Sequence, residues 1–360
     1  MSKTVVVDFA GPNSRENRAF KREIVGHDRL AWPMIHLYEE SQKQGFDLIT
    51  SDIYLASPEK YPNAIMWRGI TTVGDTAERV IKAGARPAIF MAFENPMYDC
   101  DFYWRIRKRI DRYDIVLMAK GGEPFVRGIT KFQTFVTPVA YPQSTYLASN
   151  FQKKKFLTMI NTNSRIHPLR RLYVTIANFL RPLPTLVNRE LYVDRLEAIS
   201  YFSKRSDFDL YGVGWERPTR YVYGRRAERY AAAAKKSWRG SVPDKLSTLE
   251  QYKFSICFEN CIFSGWVTEK ILDSMLAGCV PIYWGAPDIE EFIPANCYID
   301  FKKFKNYAEL EQFLDGMDEK TYQTYIDNIN KFIASDRYRY FTQEKFAEVM
   351  IDLFKEYSPT

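Results

Sequence analysis

Histidine is nearly missing from this chain. His27, His36 and His167 are the only three in 360 residues and lie far apart. A metal centre built on imidazoles has little to work with, so no metal is expected. The five cysteines (Cys100, Cys257, Cys261, Cys279 and Cys297) contain no CxxC pair and leave one over. Most sit in apolar, strand-like contexts, which reads as buried free thiols in a reducing compartment. No apolar run approaches the ~18 residues of a membrane span. The opening MSKTVVVDFAGPNS lacks the apolar region of a signal peptide. A cytoplasmic chain is expected. Repeats and low-complexity tracts are absent, and the nearest glycine-rich stretch, GVGWER at Gly212–Arg217, lacks a third glycine. That weighs against a dinucleotide-dependent dehydrogenase.

What is present describes a globular protein. A 46% hydrophobic content excludes disorder, and 360 residues suit two domains. Aromatics reach 16%; most belong in cores, and clefts that grip sugars and bases use the same rings. The net charge of +7 suits a phosphate-bearing ligand or an anionic membrane surface. Positive residues gather at Lys153–Lys155, Arg170–Arg171 and from Arg217 to Arg239. These clusters fit a solvated face or a functional surface. No nucleic-acid-binding motif accompanies them, so nucleic acid is not an expected partner. Leu169–Leu180 (LRRLYVTIANFL) reads as a core helix, with peripheral membrane contact as the alternative.

Along the first 150 residues, apolar runs alternate with helical patterns. Thr4–Phe9, Phe46–Thr50, Ala88–Phe93 and Asp114–Ala119 read as strands, and Phe102–Tyr113 as a helix with Phe102, Ile106, Ile110 and Tyr113 on one face. Unbroken apolar strands separated by helices mark a parallel sheet covered on both sides. A Lys-rich joint at Asn150–Lys155 opens a second such unit. Its strands are Phe156–Ile160, Phe208–Tyr211, Phe254–Phe258, Val280–Trp284 and Tyr298–Phe301; its helices are Glu190–Lys204 and Val267–Leu276. The expected fold is α/β, two Rossmann-like lobes with a cleft between them. The lobes are read as 1–150 and 151–340, followed by a C-terminal helix at 341–360. Helical patterns at Tyr307–Met317, Lys320–Ala334 and Thr342–Tyr357 close the chain, the last with a stripe of Phe346, Met350, Leu353 and Tyr357. Tyr230–Lys236 (YAAAAKK) fits a short helix or an exposed insertion.

The chemistry concentrates in Tyr252–Pro287, a strand, loop, helix and strand. The first strand ends in Glu259–Asn260, at the carboxyl end where open α/β sheets bind ligands. Thr268 is a good N-cap, with Glu269 and Lys270 in the first helical turn. A helix start offers unpaired N–H groups and partial positive charge, a seat for a diphosphate, and Lys270 adds a full charge. Glu269 sits where a carboxylate can accept from both hydroxyls of a ribose. Capping and solubilising a helix explains the same pair. Arg195 falls inside the apolar stripe Tyr192, Leu196, Ile199 and Phe202. A buried arginine needs an anionic partner, either an internal carboxylate or a bound phosphate. Glu94 stands directly after a strand in FENP, where a carboxylate could deprotonate a sugar hydroxyl.

YKFSICFEN, then WVTEK and VPIYWGAP, resembles the donor-binding signature of family 10 glycosyltransferases, the α1,3/α1,4-fucosyltransferases; DLYGVGW and GSVPDKLSTLEQYKF resemble its bacterial members. The likeness is dense over Phe208–Phe301, thinner over Phe156–Phe202 and weak before that. It implies the GT-B arrangement, an amino-terminal acceptor lobe, a carboxyl-terminal donor lobe, inversion at the anomeric carbon and no metal requirement. It implies donor contacts for Asn260, Glu269 and Lys270, with Glu269 on the ribose and Lys270 on a phosphate; Trp266 and Thr268, on the same segment, are expected to bind the donor beside them. It further implies a phosphate role for Arg195 and a general-base role for Glu94. Trp266 departs from the usual tyrosine, keeping a ring and losing a hydroxyl; Cys261 replaces a small polar residue. The expected partners are a GDP-sugar donor, foremost GDP-fucose, and an oligosaccharide or glycoconjugate acceptor. Donors of the GDP-heptose or GDP-mannose type, and a catalytically silent glycan-binding protein, are the rivals.

Overall fold

The computed structural model describes residues 3–9, 11, 13–25, 31–69, 75–92, 94–97, 103, 106–139, 147–148, 150–164, 169, 172, 176, 189–217, 224–242 and 244–359. The chain divides into two compact units. The first takes 1–143, 183–185 and 338–360; the second takes 144–182 and 186–337.

The first unit is built on six parallel strands: β1 (Lys3–Asp8), β2 (Phe46–Thr50), β3 (Ile65–Arg68), β4 (Arg86–Met91), β5 (Ile115–Met118) and β6 (Lys131–Thr134). Their order is β2-β1-β3-β4-β5-β6. Val5, Val6, Ile89, Phe90, Val116 and Leu117 are all buried, so the central strands lack a solvent face, as their unalternating sequences require. β3 and β6 escape a sequence reading. One is only four residues long, and the other, KFQT, is a half-exposed polar edge strand. Within the stretch read as helix Phe102–Tyr113, the described residues are helical at Tyr103 and over Arg107–Ile110; Phe102 lies outside the described residues.

The last helix, Gln343–Tyr357, returns to this first unit. Its stripe of Phe346, Met350, Leu353 and Tyr357 is buried with Phe354, among Val5, Leu37, Phe46 and Trp67. Thr342 caps it by accepting from Lys345 N at 3.2 Å.

The second unit carries five parallel strands: β7 (Lys155–Ile160), β9 (Phe208–Tyr211), β10 (Tyr252–Phe258), β12 (Val280–Trp284) and β13 (Ile299–Asp300), ordered β13-β12-β10-β7-β9. A short antiparallel ladder joins β8 (Arg189–Glu190) to β11 (Cys261–Ile262). It draws the start of the Tyr192–Phe202 helix against the loop after β10. Tyr230–Lys236 proves to be part of a helix, Arg225–Ser237, whose Tyr230 donates to Glu197 at 2.6 Å. Both units are parallel-sheet α/β folds, as the apolar periodicity demands.

Cys257, Cys279 and Cys297 are buried free thiols and Cys261 is buried; Cys100, His27 and His167 lie outside the described residues. Most of Leu169–Leu180 does too, though Leu169, Leu172 and Ile176 are described and exposed. Among the described residues, no helix is long and apolar enough to cross a membrane.

Candidate functional site

The carboxyl end of β10 is where the second unit gathers its buried charge. Glu259 follows the strand immediately and is fully buried. Its backbone N–H donates to Trp284 O at 2.8 Å, extending the β10–β12 pairing by one residue. Gly285 closes over it: a Cβ there would lie 2.5 Å from Glu259 Cγ and 2.5 Å from the Tyr283 hydroxyl. A buried carboxylate must be answered by donors. Thr268 supplies its backbone N–H and its hydroxyl to Oε1 at 2.9 Å each, and Lys270 Nζ lies 3.2 Å from Oε2.

These contacts change the role read for Thr268. It holds the N-cap position of the Glu269–Leu276 helix with extended backbone, but its side chain makes no capping bond. The hydroxyl is turned to Glu259 instead. The helix start is thus anchored to the end of β10 rather than closed by its own cap. Lys270 also donates to Thr268 Oγ1 at 2.9 Å, which spends two of its three N–H donors within the protein.

Glu269 stands beside two cations, with Lys270 Nζ at 3.8 Å and Lys245 Nζ at 3.7 Å. Burial alone raises its pKa, but the Lys270 and Lys245 charges override that and hold it down at about 2. Lys245 is the member of this cluster that the sequence reading missed. It pairs with buried Asp273 at 2.6 Å, one turn along the same helix from Glu269. Asp273 is raised by burial even so. The signal for Lys245 was weak, since one lysine in the stretch before β10 looks like any solvated one.

Arg195 is buried on the Tyr192–Phe202 helix, as its place in the apolar stripe implied. Within the chain its partners are a backbone carbonyl and a side-chain amide oxygen. Nε and Nη2 donate to Phe258 O at 3.1 and 2.6 Å, and Nη2 donates to Asn260 Oδ1 at 2.9 Å. Among the described residues no carboxylate comes within ion-pair distance of it. Burial lowers its pKa, while Tyr192, Glu259 and the more distant Glu269 work the other way. The guanidinium therefore brings a positive charge to the end of β10 and fixes the Asn260 side chain there.

Trp266, in the loop before Thr268, is buried, and its indole Nε1 has no hydrogen-bond partner among the described residues. The loop is pinned by Asp288, which accepts from Ser264 Oγ at 2.5 Å and Gly265 N at 2.8 Å. Asn260, Trp266, Thr268, Glu269 and Lys270 thus sit on one loop-and-helix segment, with Arg195 joined to it through Asn260. Glu94 belongs to the first unit. It is half-buried just past β4, and Tyr103 Oη donates to its backbone carbonyl at 2.8 Å. Among the described residues no group of three or more histidines, cysteines and carboxylates is arranged to hold a metal ion.

This segment is similar to a known family. Residues 188–350 match the family described as glycosyltransferase family 10 (fucosyltransferase), C-terminal part. An alpha-(1,3)-fucosyltransferase of Helicobacter pylori is 32% identical over 117 residues, covering 32% of this chain and 24% of that protein. A GDP-fucose protein O-fucosyltransferase 3 of Bos taurus is 35% identical over 82 residues, covering 22% of this chain and 17% of that protein. The chain thus spans a quarter or less of the length of these relatives. Among solved structures, sucrose-phosphate synthase from Thermosynechococcus elongatus has a TM-score of 0.61 at 10% identity, covering 98% of each chain. That likeness shows the fold, the two-lobed α/β class called GT-B.

Proposed function

We propose that this chain, whose residues 188–350 carry the family 10 glycosyltransferase C-terminal domain, is an inverting, metal-independent glycosyltransferase that moves L-fucose from GDP-fucose to a glycan hydroxyl. The observation that supports it most is the cluster of Lys270, Lys245 and Arg195 at the end of β10, beside the start of the Glu269–Leu276 helix. The relatives' names support fucose as the donor sugar: both are fucosyltransferases, and one is named for GDP-fucose.

In this reading the diphosphate rests at the helix start, with Lys270 and Arg195 contributing positive potential. Glu269, held ionised by its two lysines, accepts from the ribose hydroxyls. Asn260 and Trp266 line the same seat. Glu94 takes the proton of the attacking acceptor hydroxyl, and the bond from the anomeric carbon to the diphosphate oxygen breaks as the new one forms. Fixed cations stabilise the charge growing on the leaving group in place of a divalent ion.

Incubation with a panel of nucleotide sugars, reading nucleotide release with and without glycan acceptors, tests the proposal. Acceptor-dependent GDP release from GDP-fucose is the expected result. Release from GDP-mannose or a GDP-heptose alone would move the reading to another donor. Glycan binding without release from any donor would reject the enzyme.

A further inference from the structure

In the second unit, two buried side-chain N–H donors lack a partner among the described residues: Trp266 Nε1 and Asn161 Nδ2. They come from different loops, yet both loops leave the carboxyl ends of adjacent strands. Asn161 directly follows β7, the strand between β10 and β9. The parallel register pairs Ser255 with Thr158, so continuing it three residues sets Asn161 level with Phe258, whose carbonyl receives Arg195. Asn161 is thus a strand's width from the Glu259–Asn260 pair.

Its surroundings are tightly determined. Asn161 N donates to Tyr211 O at 2.9 Å, and Trp215 Nε1 donates to Asn161 O at 2.6 Å. Gly212, at φ +125°, packs so closely that a Cβ would lie 2.0 Å from that same carbonyl oxygen. Trp238 Nε1 in turn donates to Gly212 O at 2.9 Å. The backbone of Asn161 is therefore satisfied and clamped, while its amide N–H₂ is buried without a bond. Buried donors are normally paired, because leaving one unmade costs the full desolvation of the group.

We infer that Asn161 is a further ligand-binding residue, whose carboxamide donates to a phosphate oxygen of the nucleoside diphosphate. This rests on the proposed nucleotide-sugar site and extends it from β10 to β7. A group that offers N–H, beside Arg195 and Lys270, suits an acceptor-only anion better than a sugar hydroxyl. The signal was absent from the sequence, since asparagines after strands are ordinary.

GDP and guanosine binding, measured by calorimetry and ligand-observed NMR, test the assignment in the wild type, Asn161→Asp and Asn161→Ala. Asp keeps the size and replaces the donor with an acceptor; Ala removes the amide. The expected result is GDP affinity about 10–100-fold weaker in Asn161→Asp and several-fold weaker in Asn161→Ala, with guanosine binding little changed. The thermal midpoint of Asn161→Ala should stay near wild type, because no existing side-chain N–H bond is lost, whereas Asn161→Asp should melt lower for its buried carboxylate. Equal GDP affinity in the three proteins would overturn the inference and leave the amide to a structural water. Parallel loss of guanosine binding would overturn the phosphate contact. A wild type that binds no GDP would instead bring down the functional reading itself.

Discussion

At the residue scale, Lys270 is a charge already committed. Its ammonium is shared between Glu259 and Thr268, so a diphosphate would meet a held cation rather than recruit a mobile one. Removing it takes away both the charge and a donor to a buried carboxylate. Lys270→Ala is expected to weaken GDP binding about 10–100-fold and to cut turnover further; unchanged kinetics would take Lys270 out of the site. In the proposed step the Glu94 carboxylate accepts a proton and does not hold the donor. Glu94→Gln should retain GDP-fucose affinity and lose transfer by about 10²–10⁴-fold, read by separate binding and rate measurements.

At the scale of the element, the Glu269–Leu276 helix is tied down at its start by charge. Folding lowers the Glu269 pKa from its ordinary 4.5 to about 2. As pH falls, the unfolded chain therefore takes up a proton first. The stabilisation is complete above about 4.5 and is lost as pH falls toward 2. Urea midpoints across that window should fall more steeply in the wild type than in Glu269→Gln. Parallel slopes would show that the lysines do not favour the ionised carboxylate. Thr268, Glu269 and Lys270 were legible in the sequence as a helix start. The detail that Thr268 serves Glu259 was not, because a threonine at an N-cap position normally turns back on its own helix.

At the scale of the molecule, the chain closes on itself: its final helix completes the core begun by β1 and β2. Phe354 is fully buried, its ring 5.8 Å from that of Phe46 and 5.9 Å from that of Trp67. Phe354→Ala should cost about 3–5 kcal/mol, seen as a lower denaturation midpoint. A smaller loss would mean that the helix is not integral to that core. The proposed mechanism, taken over the whole molecule, needs no divalent ion. A chelator should leave the rate of GDP release nearly unchanged, and restoration of lost activity by a divalent ion would contradict the mechanism.

By itself the sequence determined whatever is periodic or contiguous: the two parallel-sheet units, most strands, the apolar stripe of the last helix, and the YKFSICFEN–WVTEK segment. Hydrophobic spacing and short-range capping carry that information along a few residues at a time. Only the tertiary structure decided which groups meet. Arg195 was recognisable as a buried cation, but its bonds to Phe258 and Asn260 join residues 63 and 65 positions apart. The pairing of Lys245 with Asp273, the return of residues 338–360 to the first unit and the Asn161 amide, unpartnered among the described residues, are of the same kind. Such contacts depend on how strands order themselves in a sheet and where side chains land after packing. No local pattern in the chain encodes either one.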